Sequence, residues 1–133
     1  MQFVGDVVCS IIERNGKILL AQRPKGKSLE LKWEFPGGKV RPKETEVMAL
    51  KREIKEELQI TIDIIERLTP CFFEYIDFSI NLIPYRSEIK NGVLYPEEHA
   101  RIKWVDLNEA HQYDLAEADQ LILKEYIDLM EGE

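Results

Sequence analysis

Glu53, Glu56 and Glu57 stand close together in "ALKREIKEELQI", a few residues after the tight run Pro36-Gly37-Gly38. On a helix at about 100° per residue these three acids share one arc of about 100°. The arc lies beside an apolar one formed by Val47, Leu50, Ile54 and Leu58, and Ala49 within it is expected to leave room for a ligand. A solvated helix usually interleaves opposite charges four residues apart. Here Glu53–Glu57 and Lys51–Lys55 are like-charge pairs at that spacing, and only Arg52–Glu56 is favourable. A hard divalent cation, which takes oxygen ligands, would relieve the repulsion. On charge pattern alone a metal-binding face and a solvated face both stay open. The Gly-Gly pair adds to the first, because its backbone can approach a bound group closely and take positive φ, offering carbonyls to a metal or amides to a phosphate. Mg²⁺ shares its shell with substrate phosphates, so the combination points to a carboxylate–Mg²⁺–phosphate site.

Such a helix has to be held against a sheet. "FVGDVVCSII" is rich in β-branched residues and reads as a strand, "ERNGK" supplies an Asn-Gly turn, and "ILLAQR" returns, which together predict a hairpin. Residues 24–33 read as loop, and the helical pattern runs from about Glu44 to Leu58. "TIDIIERLTPCFFEYIDFSINLIPYR" predicts one or two strands interrupted at Pro70 and Pro84. "EIKNGVLYPEEHA" reads as loop and "RIKWVDL" as a short strand. "EADQLILKEYIDLM" closes as an amphipathic helix with Leu121, Ile122, Tyr126 and Leu129 on one side. Two strand-rich blocks, each followed by a helix, predict a mixed sheet covered by helices.

The 133 residues, 44% apolar and 32% charged, are those of one globular domain spanning 1–133. A net charge of −7 argues against a nucleic acid polymer or an anionic membrane as partner. No apolar run approaches the roughly 18 residues of a membrane span, and the N-terminus lacks a signal pattern. Cys9 and Cys71, both in apolar surroundings, are expected as buried thiols in the cytoplasm. His99 and His111 have no second His or Cys at ligand spacing and are expected at the surface or in turns.

The stretch that begins at Gly38 resembles the Nudix box: Gly, five residues, Glu, seven residues, then Arg-Glu-aliphatic-any-Glu-Glu-any-Gly-aliphatic. Gly38, Glu44, Arg52, Glu53, Ile54, Glu56, Glu57 and Ile60 match at every spacing, and Gln59 stands where the family has Gly. That Gly would end the helix in a left-handed conformation. "WEFPGGK" resembles the lead into the box of MutT-type members. Arg23, Glu98 in "EEHARIKWV", and Asp119 at the end of "AEAD" resemble further positions of that group, so the likeness spans about residues 3 to 125.

The resemblance implies an α/β class protein, a Nudix-type α/β/α sandwich with a mixed β-sheet between helices. It implies Mg²⁺-dependent hydrolysis of a nucleoside triphosphate to the monophosphate and pyrophosphate, with Mn²⁺ as a substitute. Glu53, Glu56, Glu57 and Glu98 would hold the metal with a carbonyl of Gly37 or Gly38. Glu53 or Glu98 would serve as general base, Glu97 competes with Glu98 for its place, and Arg52 would orient the carboxylates. Glu44 would be an acid favoured by the helix dipole. Arg23 would clamp phosphate, and Asp119 would read the base or cap the last helix. Phe35 or Tyr75 would stack on the base or pack in the core. Oxidised purine nucleotides such as 8-oxo-dGTP and cytidine nucleotides such as (d)CTP are the expected substrates. ADP-ribose, a dinucleoside polyphosphate, or nucleotide sensing without cleavage are the alternatives. A monomer or homodimer is expected.

Overall fold

The computed structural model describes residues 2–132. Its spine is β1 (Gln2–Arg14), whose run Val8 to Ile12 is buried on both faces and therefore apolar save for Ser10. Asn15 and Gly16, both at positive φ (51° and 77°), turn the chain into β2 (Lys17–Gln22). That pairing of signs is what a two-residue hairpin turn with the right twist requires, and few residue pairs other than Asn-Gly supply it cheaply. After a loop come two short strands, β3 (Trp33–Glu34) and β4 (Gly37–Lys39), then helix α1 (Glu46–Leu58). Strands β5 (Ile60–Arg67), β6 (Cys71–Glu74), β7 (Phe78–Gly92) and β8 (Arg101–Asp106) follow. A 3₁₀ turn over Leu107–Gln112 leads into helix α2 (Glu117–Glu131).

The sheet is mixed. β1 runs parallel to β7 and antiparallel to β4, while β7 is flanked on its other edge by β5 and β6. The far end of β1 pairs with β2, which also pairs with β3 and β8. One face packs Val8, Ile12, Leu19 and Ile83 against Leu50, Ile54 and Leu58 of α1. The other packs Cys9, Ile11, Leu20 and Leu82 against Ala118, Ile122 and Tyr126 of α2. This is the expected α/β/α sandwich, with period-two alternation along β1 dividing its side chains between the two cores.

Several local expectations are corrected. The region from Thr61 to Arg86 contributes to three strands, and Pro84 lies inside β7 without breaking it. Its oxygen accepts from Leu68 N at 2.8 Å, so the missing N–H faces the junction where the neighbouring chain leaves β5 for β6 and offers no acceptor in register. The segment Glu88 to Gly92 continues β7 instead of forming a loop, paired to β5. On α2 the buried face is Ala118, Ile122, Leu123 and Tyr126, whereas Leu121 and Leu129 are 46% and 37% exposed. Cys9 is buried and Cys71 only partly, and both are free thiols.

Helix α1 begins at Glu46 because Thr45 caps it, its side chain accepting from Met48 N at 3.1 Å. It ends at Gln59, which takes the left-handed conformation (φ 60°, ψ 30°) that its family counterpart implied. Gln59→Gly is expected to stabilise the protein by roughly 0.5–1 kcal/mol, because left-handed strain is relieved and only partly offset by added chain entropy. Chemical denaturation of both proteins checks this; an unchanged or lower midpoint would mean that the Gln side chain compensates for the strain.

Candidate active site

The acidic arc of α1 is built inward. Glu57 is buried at 3% exposure, beside Leu50, Ile54 and Leu58. Ala49 is fully buried in the core and leaves no space for a ligand, contrary to expectation. Arg52 ties the arc together. Its Nε and Nη2 donate to the two carboxylate oxygens of Glu44 at 2.6 and 2.8 Å, and Nη1 donates to Glu53 Oε1 at 2.6 Å. Nη2 also donates to Lys39 O at 3.1 Å, linking helix to β4. Glu44 lies ahead of the helix, and its bonds from Arg52 and from Arg41 N hold its carboxyl down at about 2. Glu56 is nearly half exposed, 3.5 Å from Arg52.

Gly37 and Gly38 do not use positive φ; they form β4, paired to Cys9 and Val8. Their need is for space. A Cβ on Gly37 would sit 1.9 Å from Val8 O, and one on Gly38 would sit 2.3 Å from Glu53 Oε2. The absent side chain of Gly38 is what lets the Glu53 carboxylate lie against the strand.

The segment 93–100 closes over this end of α1. Tyr95 N and Glu97 N donate to Leu58 O and Glu57 O at 3.0 and 2.9 Å, and Ala100 N donates to Gln22 O at 2.9 Å. Gln59 Nε2 holds Glu97 Oε1 at 2.5 Å. Glu97 is thereby engaged at the helix end, while Glu98 lines a polar pocket of about 120 Å³ with Glu34, Glu53, Glu57, Gly37 and Arg23. His99 reverses the surface expectation. Its side chain is only 4% exposed, with Nε2 3.0 Å from Glu34 Oε2 and 3.6 Å from Glu57 Oε1. His111 is exposed.

Burial, and then the charges of Glu34, Glu53 and Glu98, push the Glu57 carboxyl far above the usual carboxylate range. Among the described residues no three His, Cys, Asp or Glu side chains are already drawn into a chelating cluster. The donor set still fits a hard divalent ion: four carboxylates line one small pocket, and the most buried of them is held from ionising by burial first and by the charges of the others next. A dication there would invert that balance, favouring the charged form it coordinates.

Adjoining the pocket is a cavity of about 560 Å³ that shares Arg23, Glu34 and Gly37 with it and reaches Phe35, Tyr75 and Asp119. That size suits a nucleoside. Arg23 sits at the junction, its Nη1 3.1 Å from Glu34 Oε1 and its Nε donating to Ser28 O at 2.6 Å. Phe35 and Tyr75 are both core residues, at 2% and 8% exposure. Tyr75 stacks on Phe78, and its hydroxyl accepts from Ala118 N at 3.0 Å. Asp119 does not cap α2, whose N-cap is Ala116. Its Oδ2 accepts from Phe35 N at 2.9 Å at the cavity wall.

Burial, with the Glu34 charge second, pushes Asp119 up to about 8. A folded value above the unfolded one of about 3.9 makes the protonated form the stabilising one. Its contribution is therefore complete below about pH 4 and is lost as pH rises towards 8. Asp119→Asn is expected to flatten the fall in thermal midpoint between these limits in the metal-free protein. Equal slopes for the two proteins would show that Asp119 does not titrate across this window.

Glu34 and His99 were missed by sequence reasoning. A lone acid between Trp33 and Phe35 was the available signal for Glu34, since period-two alternation sends it to a different face from its aromatic neighbours. Nothing local marks His99, which meets Glu34 across 65 positions of chain.

The NUDIX domain profile matches residues 1–126. The chain is 41% identical over 124 residues to the CTP pyrophosphohydrolase of Escherichia coli, covering 93% of this chain and 92% of that one. It is 30% identical over 126 residues to the 8-oxo-dGTP diphosphatase of Buchnera aphidicola subsp. Schizaphis graminum, covering 92% of each. Among solved structures, the solution structure of the E. coli ORF135 protein superposes with a TM-score of 0.82 at 39% identity, covering 98% of this chain and 92% of that one.

Proposed function

This chain belongs to the NUDIX family, and from that premise we propose that it hydrolyses a nucleoside triphosphate to the monophosphate and pyrophosphate, with a cytidine nucleotide as the preferred substrate. The observation that carries the reading is the polar pocket lined by four carboxylates opening beside a nucleoside-sized cavity, with Arg23 on the wall of both. Its relative at 41% identity is named for CTP. The Asp119 oxygen at the cavity wall is suited to accept from an exocyclic amine such as that of cytosine. A second reading, an oxidised purine triphosphate, is favoured by the raised Asp119 carboxyl, which in its protonated form can donate to a purine carbonyl.

Glu53, Glu57 and Glu98 of the pocket lining, with a carbonyl of Gly37 or Gly38, would hold Mg²⁺, or Mn²⁺ in its place, and Glu56, half exposed outside the lining, would have to turn from Arg52 to join them. Such an ion, when bound, would supply charge neutralisation for the phosphates and a more acidic water. Arg23 holds the polyphosphate by charge-assisted hydrogen bonds. Arg52 keeps Glu53 turned towards β4. Between the two candidate bases, Glu98 takes the proton from water: Glu53 is engaged by Arg52, whereas among the described residues no side chain donates to Glu98. The cavity wall at Asp119 selects the base.

Pyrophosphate and phosphate release from a panel of nucleotides, including CTP, dCTP, 8-oxo-dGTP, ADP-ribose and a dinucleoside polyphosphate, with and without Mg²⁺, tests this. Pyrophosphate release from CTP or dCTP ahead of the rest is expected. Turnover of ADP-ribose alone would move the substrate class, and no turnover of any nucleotide would make the chain a sensor.

A further inference from the structure

We propose that His99 is a positioning residue that clamps Glu34 to Glu57 and so couples the nucleoside cavity to the acidic pocket. The proposal rests on the reading above that this pocket holds a divalent cation. The imidazole is inserted between two carboxylates from different elements, Glu34 on β3 and Glu57 on α1. The other oxygen of Glu34 accepts from Arg23 at 3.1 Å, so hydrogen bonds link Arg23, Glu34 and His99, and a longer 3.6 Å contact carries the line from His99 to the buried Glu57. The backbone flanking His99 is fixed on one side by Glu97 N to Glu57 O and on the other by Ala100 N to Gln22 O, both at 2.9 Å.

A second observation separates this from mere filling of space. Nδ1 is buried and has no hydrogen-bond partner among the described residues. Buried polar atoms are nearly always paired, and an apolar residue at position 99 would avoid the orphan altogether. The imidazole is explained by what Nε2 does. It supplies the polar contact to Glu34, with Glu57 just beyond, in a pocket lined by four carboxylates. Groups that orient metal-binding carboxylates from behind act through affinity and geometry without touching the reacting atoms.

The test is Mn²⁺ binding to the nucleotide-free protein, followed by electron paramagnetic resonance, for wild type, His99→Ala, His99→Asn and His99→Gln. A Gln amide nitrogen can reach about as far as Nε2, whereas Asn falls short. The expected result is about tenfold weaker Mn²⁺ association for Ala and Asn, with Gln within about threefold of wild type. Nucleotide turnover measured alongside should show KM raised and kcat lowered for Ala and Asn, and both largely restored by Gln. Thermal midpoints without metal identify any variant that fails to fold; if Ala does, the Asn and Gln pair decides. Equal Mn²⁺ affinity in wild type and Asn, or a Gln variant as weak as Asn, overturns the proposal. Absence of Mn²⁺ association by wild type itself overturns the metal reading and the clamp with it, and is distinguishable because it needs no variant.

Discussion

Glu57→Gln is expected to lower turnover by roughly three orders of magnitude while leaving the metal-free protein as stable as wild type or more so. The two effects have one origin. Glu57 is buried and faces Glu34, Glu53 and Glu98, so its ionised form is opposed by desolvation and by like charge. A group whose carboxyl is raised on folding stabilises the protein only while protonated, and that contribution is lost as pH climbs above the unfolded value of about 4.3. Gln has nearly the same shape and never ionises. The stability advantage of the variant should therefore widen from pH 5 to pH 8 in the presence of a chelator. Saturating Mg²⁺ should reverse the ranking, because a ligand that binds the native state of wild type more tightly raises its stability more. Thermal scans under these conditions, beside turnover measurements, check both halves. Severe unfolding of the variant would assign Glu57 a structural task instead.

Gly37→Ala and Gly38→Ala should fail in different ways, although the two residues are adjacent. A Cβ at position 37 would meet backbone, Val8 O at 1.9 Å and Cys9 Cα at 2.7 Å. Backbone in the central strand cannot yield without disrupting the β1–β4 ladder, so a loss of about 3 kcal/mol is expected. At position 38 the three atoms nearest the new methyl all belong to the carboxylate end of Glu53, at 2.3 to 2.8 Å. That side chain can swing aside, which spares the fold but breaks its 2.6 Å bond from Arg52. Gly38→Ala should then keep most of its stability and lose about a hundredfold or more in turnover, the cost of a displaced catalytic group. Denaturation midpoints and turnover for the pair decide the matter. An active, folded Gly37→Ala protein, or an unfolded Gly38→Ala protein, would contradict the geometry.

Much of the architecture is written in short-range pattern. The spacing of Val47, Leu50, Ile54 and Leu58, three and then four residues apart, specifies one helix and its core-facing side, and Asn15-Gly16 specifies one hairpin. The spacing from Gly38 to Ile60 places Glu53 and Glu57 on the same side of α1, in view of β4. These features depend on residues within a few turns of one another, where rise, twist and backbone sterics settle the outcome. Even here pattern has limits. Leu121 and Leu129 fitted the apolar period of α2, yet neighbouring Ala118 and Leu123 won the core because the sheet surface they meet, with Leu20 and Leu82, decides which arc is covered.

The acidic pocket itself was only half legible. Its α1 half is a helical spacing, but Glu34 and His99 enter from β3 and from a loop, and their meeting depends on β2 pairing with both β3 and β8. Glu97 and Glu98 are indistinguishable as sequence. The choice between them is made by Glu57 O and Gln59, which bind Glu97 and leave Glu98 to the pocket wall. Composition and periodicity thus specified the elements and the charge they bear. Which charges share one small volume, and how far burial shifts them, was decided by strand pairing and loop closure between residues distant in the chain.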